Sequence, residues 1–171
     1  DNPNIIISLD SDKASERYLL NLAQEIKKEL ELIPAIFEVE LVSADNSFAI
    51  AVEASRFPAN EEQELIVAGL QEAGLGAGQL WWKTGKQARF NRLDSGSDPL
   101  SFAVNPDINL VFEPGQFIQV NGEINRLMIA QMLDLLPDSS ITATGTAIDL
   151  YCGTGNLSLP LAQRYGTVIG I

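Results

Sequence analysis

Residues 146–159 read TAIDLYCGTGNLSL, an apolar run from Thr146 to Cys152, a turn with glycines at Gly153 and Gly155, and an apolar continuation into a helix. A buried strand that enters a helix through glycines is the unit from which parallel α/β sheets are built. The glycines allow a ligand to approach the backbone, and the helix start offers unpaired N–H groups. A dinucleotide fold would place a third glycine at 158, where Ser158 stands, and Pro160 follows in or beside the first helical turn. The pattern therefore favours a nucleoside-type ligand lying across the strand ends over a pyrophosphate. Asp149, near the strand terminus, either accepts hydrogen bonds from a ligand amine or caps the glycine turn.

Outward from this turn, TVIGI (167–171) reads as the start of a second strand, and SSITATG (139–145) links the first strand to an upstream helix. That helix is expected over about Asn121 to Leu136, with Ile124, Leu127, Met128, Met132 and Leu135 on one apolar face. The two methionines there are read as core filler.

Before Glu113 the order is mixed. IIISL is a strand, and a helix through Leu32 carries Leu19, Leu22, Ile26, Leu30 and Ile33 at intervals of three and four. AIFEVELVS and SFAIAVEA form a hairpin, and a helix over about Asn60 to Ala73 ends at Gly74. LSFAVN and INLVFEPG form a second hairpin across Pro106 and Asp107. GLGAGQL leaves a helix and enters a strand, the reverse of a phosphate loop, and is read as a helix end. The predicted fold class is α/β: an α+β central domain over 1–114, then over 115–171 the first βαβ portion of a Rossmann-like domain.

Composition narrows the function classes. The 171 residues are 46% hydrophobic, enough for a sizeable core, and the apolar runs are strand-sized, so no membrane span or signal peptide is expected. The absence of histidine rules out a Ser-His-Asp triad or a histidine metal cage within these residues. Cys152 is the one cysteine, so no internal disulfide forms, which fits a cytoplasmic location. A formal charge of −12 argues against a nucleic-acid surface made by these residues alone. The densest basic stretch, KTGKQARFNR, sets Lys83, Lys86, Arg89 and Arg92 among Trp81, Trp82 and Phe90. It is either a stacking and phosphate-binding ribbon or a hairpin with one apolar and one solvated face, the commoner arrangement.

DLYCGTGNLSLPLA, with FIQVNGEINRLM about thirty residues upstream, resembles the RNA uracil-C5 methyltransferase family of the TrmA and RumA type. The resemblance is carried by residues 112–171; over 1–111 it rests on element order. It implies S-adenosylmethionine as cofactor and rRNA or tRNA as substrate, with Gln119, Tyr151 and Asn156 at the cofactor and Phe117 near the target base. Leu157 stands where the family usually has phenylalanine. An aromatic ring at a strand end offers a stacking surface, and a primary amide both donates and accepts. The alternatives are core packing for Tyr151, helix capping for Asn156 and a loop hydrogen bond for Gln119.

In the family a cysteine thiolate adds to C6 of uracil, the methyl group moves to C5, and a carboxylate base removes the C5 proton. The resemblance places both groups beyond residue 171, so no catalytic residue is expected within 1–171 and Cys152 is read as a small packing residue of the cofactor motif. An iron-sulfur cluster needs four cysteines and, like a basic RNA-binding module, is expected before Asp1. The carboxylate that holds ribose hydroxyls comes about twenty residues after the first glycine, just past Ile171. With Asp1 in place of methionine and no cap or polar tail at Ile171, the sequence reads as a piece of a longer chain, inactive alone. Two other readings stand beside it: a nucleotide-dependent Rossmann enzyme of another class, against which Ser158 and the Gln-x-Asn element count, and a non-catalytic RNA or protein interaction module.

Overall fold

The apolar runs 36–43 and 48–54, on either side of a short polar turn, suit a sheet of paired strands. In the computed structural model, which describes residues 4–8, 36–45, 47–72, 78–119, 121–137 and 139–171, they form it. The helix expected through Leu32 and the helix end at Gly74 lie outside the described residues. The chain divides into two compact units between Leu100 and Ser101, ahead of the change in character at Glu113.

In the first unit, β1 (Asn4–Ser8), β2 (Ile36–Ser43), β3 (Phe48–Ala54), β4 (Gln79–Thr84) and β5 (Asn91–Arg92) form a sheet in that order. β1–β2 and β3–β4 are parallel; β2–β3 and β4–β5 are antiparallel. The β2–β3 hairpin closes with the Ala44 amide donating to the Ser47 carbonyl at 2.8 Å. Ile36 pairs with Ala54 but Glu38 with Glu53, so Phe37 is an inserted residue. The insertion shifts the parity of the strand, which lets Ile36 and Val39 face the same core while Phe37 points to solvent.

That core comprises Val39, Leu41, Ile50, Val52, Leu80, Trp82 and, from the helix α1 (Asn60–Glu72), Ile66. Glu62 holds the start of α1: its Oε2 accepts from the Ala59 amide at 2.8 Å, the return half of a capping box. Both its oxygens also receive the Arg56 guanidinium, at 2.6 and 2.7 Å. The Arg56 hydrogen bonds, with the Ala59 amide, lower the Glu62 pKa to about 2, so the pair stays ionised through mildly acidic pH.

The basic stretch is the β4–β5 hairpin. Trp81 and Trp82 are both buried, which removes them as stacking platforms. The Trp82 Nε1–H donates to the Arg56 carbonyl and the Trp81 Nε1–H to Gln79 Oε1. Two of the four cations are also spent. Lys83 lies 3.1 Å from Glu53 and over the Phe90 ring, and Arg92 grips Asp94 at 2.7 Å. Burial opposes the charge on Asp94, but Arg92 and the Leu80 and Gly96 amides outweigh it and hold the carboxyl below its usual range.

β6 (Leu100–Asn105), whose first residue ends the first unit, leads the second and pairs with β7 (Ile108–Phe112) across Pro106 and Asp107, with the Phe102 and Phe112 rings 5.8 Å apart. Next come α2 (Gly122–Asp134), the single turn α3 (Ser139–Thr142), β8 (Thr146–Asp149), α4 (Ser158–Ala162) and β9 (Thr167–Gly170). β8 and β9 are parallel, with Thr146 opposite Thr167 and Asp149 opposite Gly170. The structure corrects the predicted face of α2. Asn125 and Ile129 are its buried residues, whereas Ile124, Leu127, Met128 and Leu135 remain exposed.

Candidate functional site

The predicted strand through Cys152 stops at Asp149. The reason lies in its partner. Ile171 donates to the Asp149 carbonyl at 2.9 Å and accepts from the Cys152 amide at 3.0 Å. A regular parallel ladder would span two residues between those contacts, and here it spans three. The surplus residue leaves the strand as a bulge. Tyr151 takes φ 62°, a left-handed conformation that costs a tyrosine about 1–2 kcal/mol. Its side chain is 97% exposed, so core packing is not its role here.

The turn then closes through the Gly155 amide, which donates to the Cys152 carbonyl at 2.9 Å, with Gly153 at φ 53° and Gly155 at φ 93°. A Cβ on Gly153 would meet nothing within 4 Å, so its backbone is open to approach. A Cβ on Gly155 would lie 3.4 Å from Leu159 and 4.0 Å from Leu110, so this glycine faces protein. Among the described residues, the Gly153 and Thr154 amides donate to no acceptor.

Asp149 anchors the turn from below, where its Oδ2 accepts the Ser158 hydroxyl at 2.6 Å. Ser158, at the position where a dinucleotide motif has glycine, thus ties the strand end to α4. Asn156 caps no helix: its Nδ2 donates to Asn125 Oδ1 at 2.9 Å and its Oδ1 accepts from Asn125 Nδ2 at 2.8 Å. Cys152 is half-buried against β9, and a Cβ on Gly170 would fall 2.8 Å from its Sγ. This is the packing expected of a small residue inside the motif.

Gln119 and Phe117 lie in the segment entering α2, Gln119 half-buried and Phe117 77% exposed. No hydrogen bond among the described residues joins either to the turn; the link runs through α2. Asn121 caps that helix, its Oδ1 accepting from the Ile124 amide at 2.9 Å, and Asn125 follows one turn later. Sequence reasoning passed over Asn125 and gave Ser158 no part in the site. An amide one turn before Ile129 on a packing helix was the available signal, since such a group is buried only with a partner.

The strand, turn and helix make a Rossmann-like unit whose open side presents an aromatic ring, a carboxylate and backbone amides. A family model described as tRNA (Uracil-5-)-methyltransferase matches residues 9–171. The chain is 31% identical over 169 residues to the 23S rRNA (uracil(1939)-C(5))-methyltransferase RlmD of Shewanella woodyi, covering 97% of this chain and 37% of that protein. With the enzyme of the same name from Stenotrophomonas maltophilia it shares 33% over 135 residues, 78% of this chain and 29% of the relative. Among solved structures, the Pyrococcus abyssi tRNA (uracil-54, C5)-methyltransferase in complex with S-adenosyl-L-homocysteine shares the fold with a TM-score of 0.60 at 12% identity, over 88% of this chain and 37% of that one. The chain belongs to the tRNA (uracil-5-)-methyltransferase family, whose members matched here are RNA uracil-C5 methyltransferases. It spans about a third of the length of these relatives.

Proposed function

We propose that this chain forms one side of the S-adenosylmethionine site of a cytoplasmic enzyme that methylates uridine C5 in rRNA or tRNA. The observation that carries the reading is the bulged turn, which lifts Tyr151 off the strand end beside the open Gly153 backbone. These groups fit an adenosyl ligand. Tyr151 supplies a stacking surface, the Gly153 and Thr154 amides supply donors, and Asp149 Oδ1 supplies an acceptor left over from its bond to Ser158. Gln119 and Asn156 contribute amides, and Phe117 lies at the side of the target base. When bound, the cofactor provides an electrophilic methyl group on a sulfonium. The chain's residues hold the ligand and orient it.

On this reading Cys152 is packed against Gly170 for shape and is not the attacking thiolate, which comes from outside residues 1–171. Those residues alone then transfer no methyl group. In the complete protein Cys152→Ala retains the covalent RNA adduct and most of the turnover. The check is formation of 5-methyluridine from S-adenosylmethionine on rRNA and tRNA transcripts, read by mass spectrometry with the wild type alongside. Loss of the adduct in a folded Cys152→Ala variant overturns the role given to Cys152. A wild type that modifies neither RNA overturns the function.

A further inference from the structure

We propose that Asn125 is a positioning residue: its reciprocal amide pair with Asn156 sets which end of the Asn156 amide faces the ligand, and it ties the glycine turn to the helix that begins just after Gln119. The inference rests on the reading of the turn as a cofactor site. An asparagine side chain has two N–H donors and two acceptor lone pairs. The pair at 2.8 and 2.9 Å uses one of each on both residues. Asn156 keeps one N–H and one lone pair for a ligand.

The two amides cannot rotate independently. Turning one alone by half a revolution would set N–H against N–H and oxygen against oxygen, so the orientations of the two amides are locked together. Asn125 is itself 2% exposed, on a helix whose first turn is fixed by the Asn121 cap. Its buried amide has its partner in Asn156, and leaving such a group unpaired costs more than the bond contributes. The pair therefore acts as a hinge pin between two segments that no other side-chain hydrogen bond among the described residues connects.

The test is a double-mutant cycle on S-adenosylhomocysteine affinity in the complete protein, measured by calorimetry. Asn125→Leu, which keeps the branching at Cγ but is larger and cannot hydrogen-bond, is expected to weaken binding about tenfold when Asn156 is present, the size of one lost hydrogen bond. In an Asn156→Ala background the same change is expected to cost less than about twofold, because nothing remains to be positioned. Equal losses in both backgrounds overturn the proposal, since they mean that Asn125 acts on the fold at large.

A second variant guards against misfolding. In Asn125→Asp, a protonated carboxyl both donates and accepts and so restores the pair, whereas the carboxylate only accepts. Affinity in this variant, taken relative to the wild type at each pH, should fall as pH rises through the carboxyl pKa, which burial pushes up. A profile parallel to that of the wild type overturns the proposal. A folded wild type that binds no S-adenosylhomocysteine overturns the cofactor reading itself, an outcome distinct from either pattern in the variants.

Discussion

Gln119→Ala in the complete protein is expected to lower kcat/KM for methyl transfer by one to three powers of ten, about 1.4 to 4 kcal/mol of transition-state stabilisation. Gln119 is half-buried in the segment that enters α2 and has no hydrogen-bond partner among the described residues. Its amide is therefore available to a ligand, and removing it leaves no protein group stranded. Stability should change by less than about 0.5 kcal/mol, as for a substitution away from core contacts. Steady-state kinetics and a thermal melt on the same preparation separate the two effects. Unchanged kinetics remove Gln119 from the site, and a large fall in melting temperature makes its role structural.

Trp82→Ala should have the largest effect on folding. The ring is 0% exposed at the centre of the first unit's core, among Val39, Leu41, Ile50 and Leu80, and its Nε1–H donates to the Arg56 carbonyl at 2.8 Å. Truncation loses the transfer energy of the ring, opens a cavity and strands a carbonyl, about 3–5 kcal/mol in all. Domains of this size have about 5–15 kcal/mol to lose. In urea denaturation the midpoint should fall with the slope unchanged. A loss below about 1 kcal/mol would show that the core does not close around Trp82.

The β2–β3 hairpin was legible because two strand-length apolar runs stand on either side of a short polar turn. The inserted Phe37 was not, since either register buries an acceptable set of apolar side chains and only the pairing of Ile36 with Ala54 selects one. For KTGKQARFNR the composition suited both a nucleic-acid ribbon and a hairpin. The adjacent Trp81 and Trp82 are both buried in β4, as happens in a strand covered on both faces, and that burial excludes the ribbon.

The same limit acted at the site. Leu150 and Tyr151 have strand-like character, and periodicity carried no sign that Ile171 would bond to Asp149 and Cys152 across a surplus residue. On α2 the apolar spacing pointed to Ile124, Leu127 and Met128. The buried stripe instead runs through Asn125 and Ile129, because the partner of Asn125 lies 31 residues away in the glycine turn. Pairing at that separation depends on tertiary geometry, and local pattern does not encode it.

Backbone hydrogen exchange of the complete protein, with and without S-adenosylhomocysteine and read at peptide resolution, tests the central claim most directly. If the bulged turn is the cofactor site, the Gly153 and Thr154 amides, which donate to no protein acceptor among the described residues, gain protection on binding, together with the segment around Gln119. Saturating ligand that leaves residues 150–157 exchanging at their free rate, while protecting other parts of the protein, would contradict it.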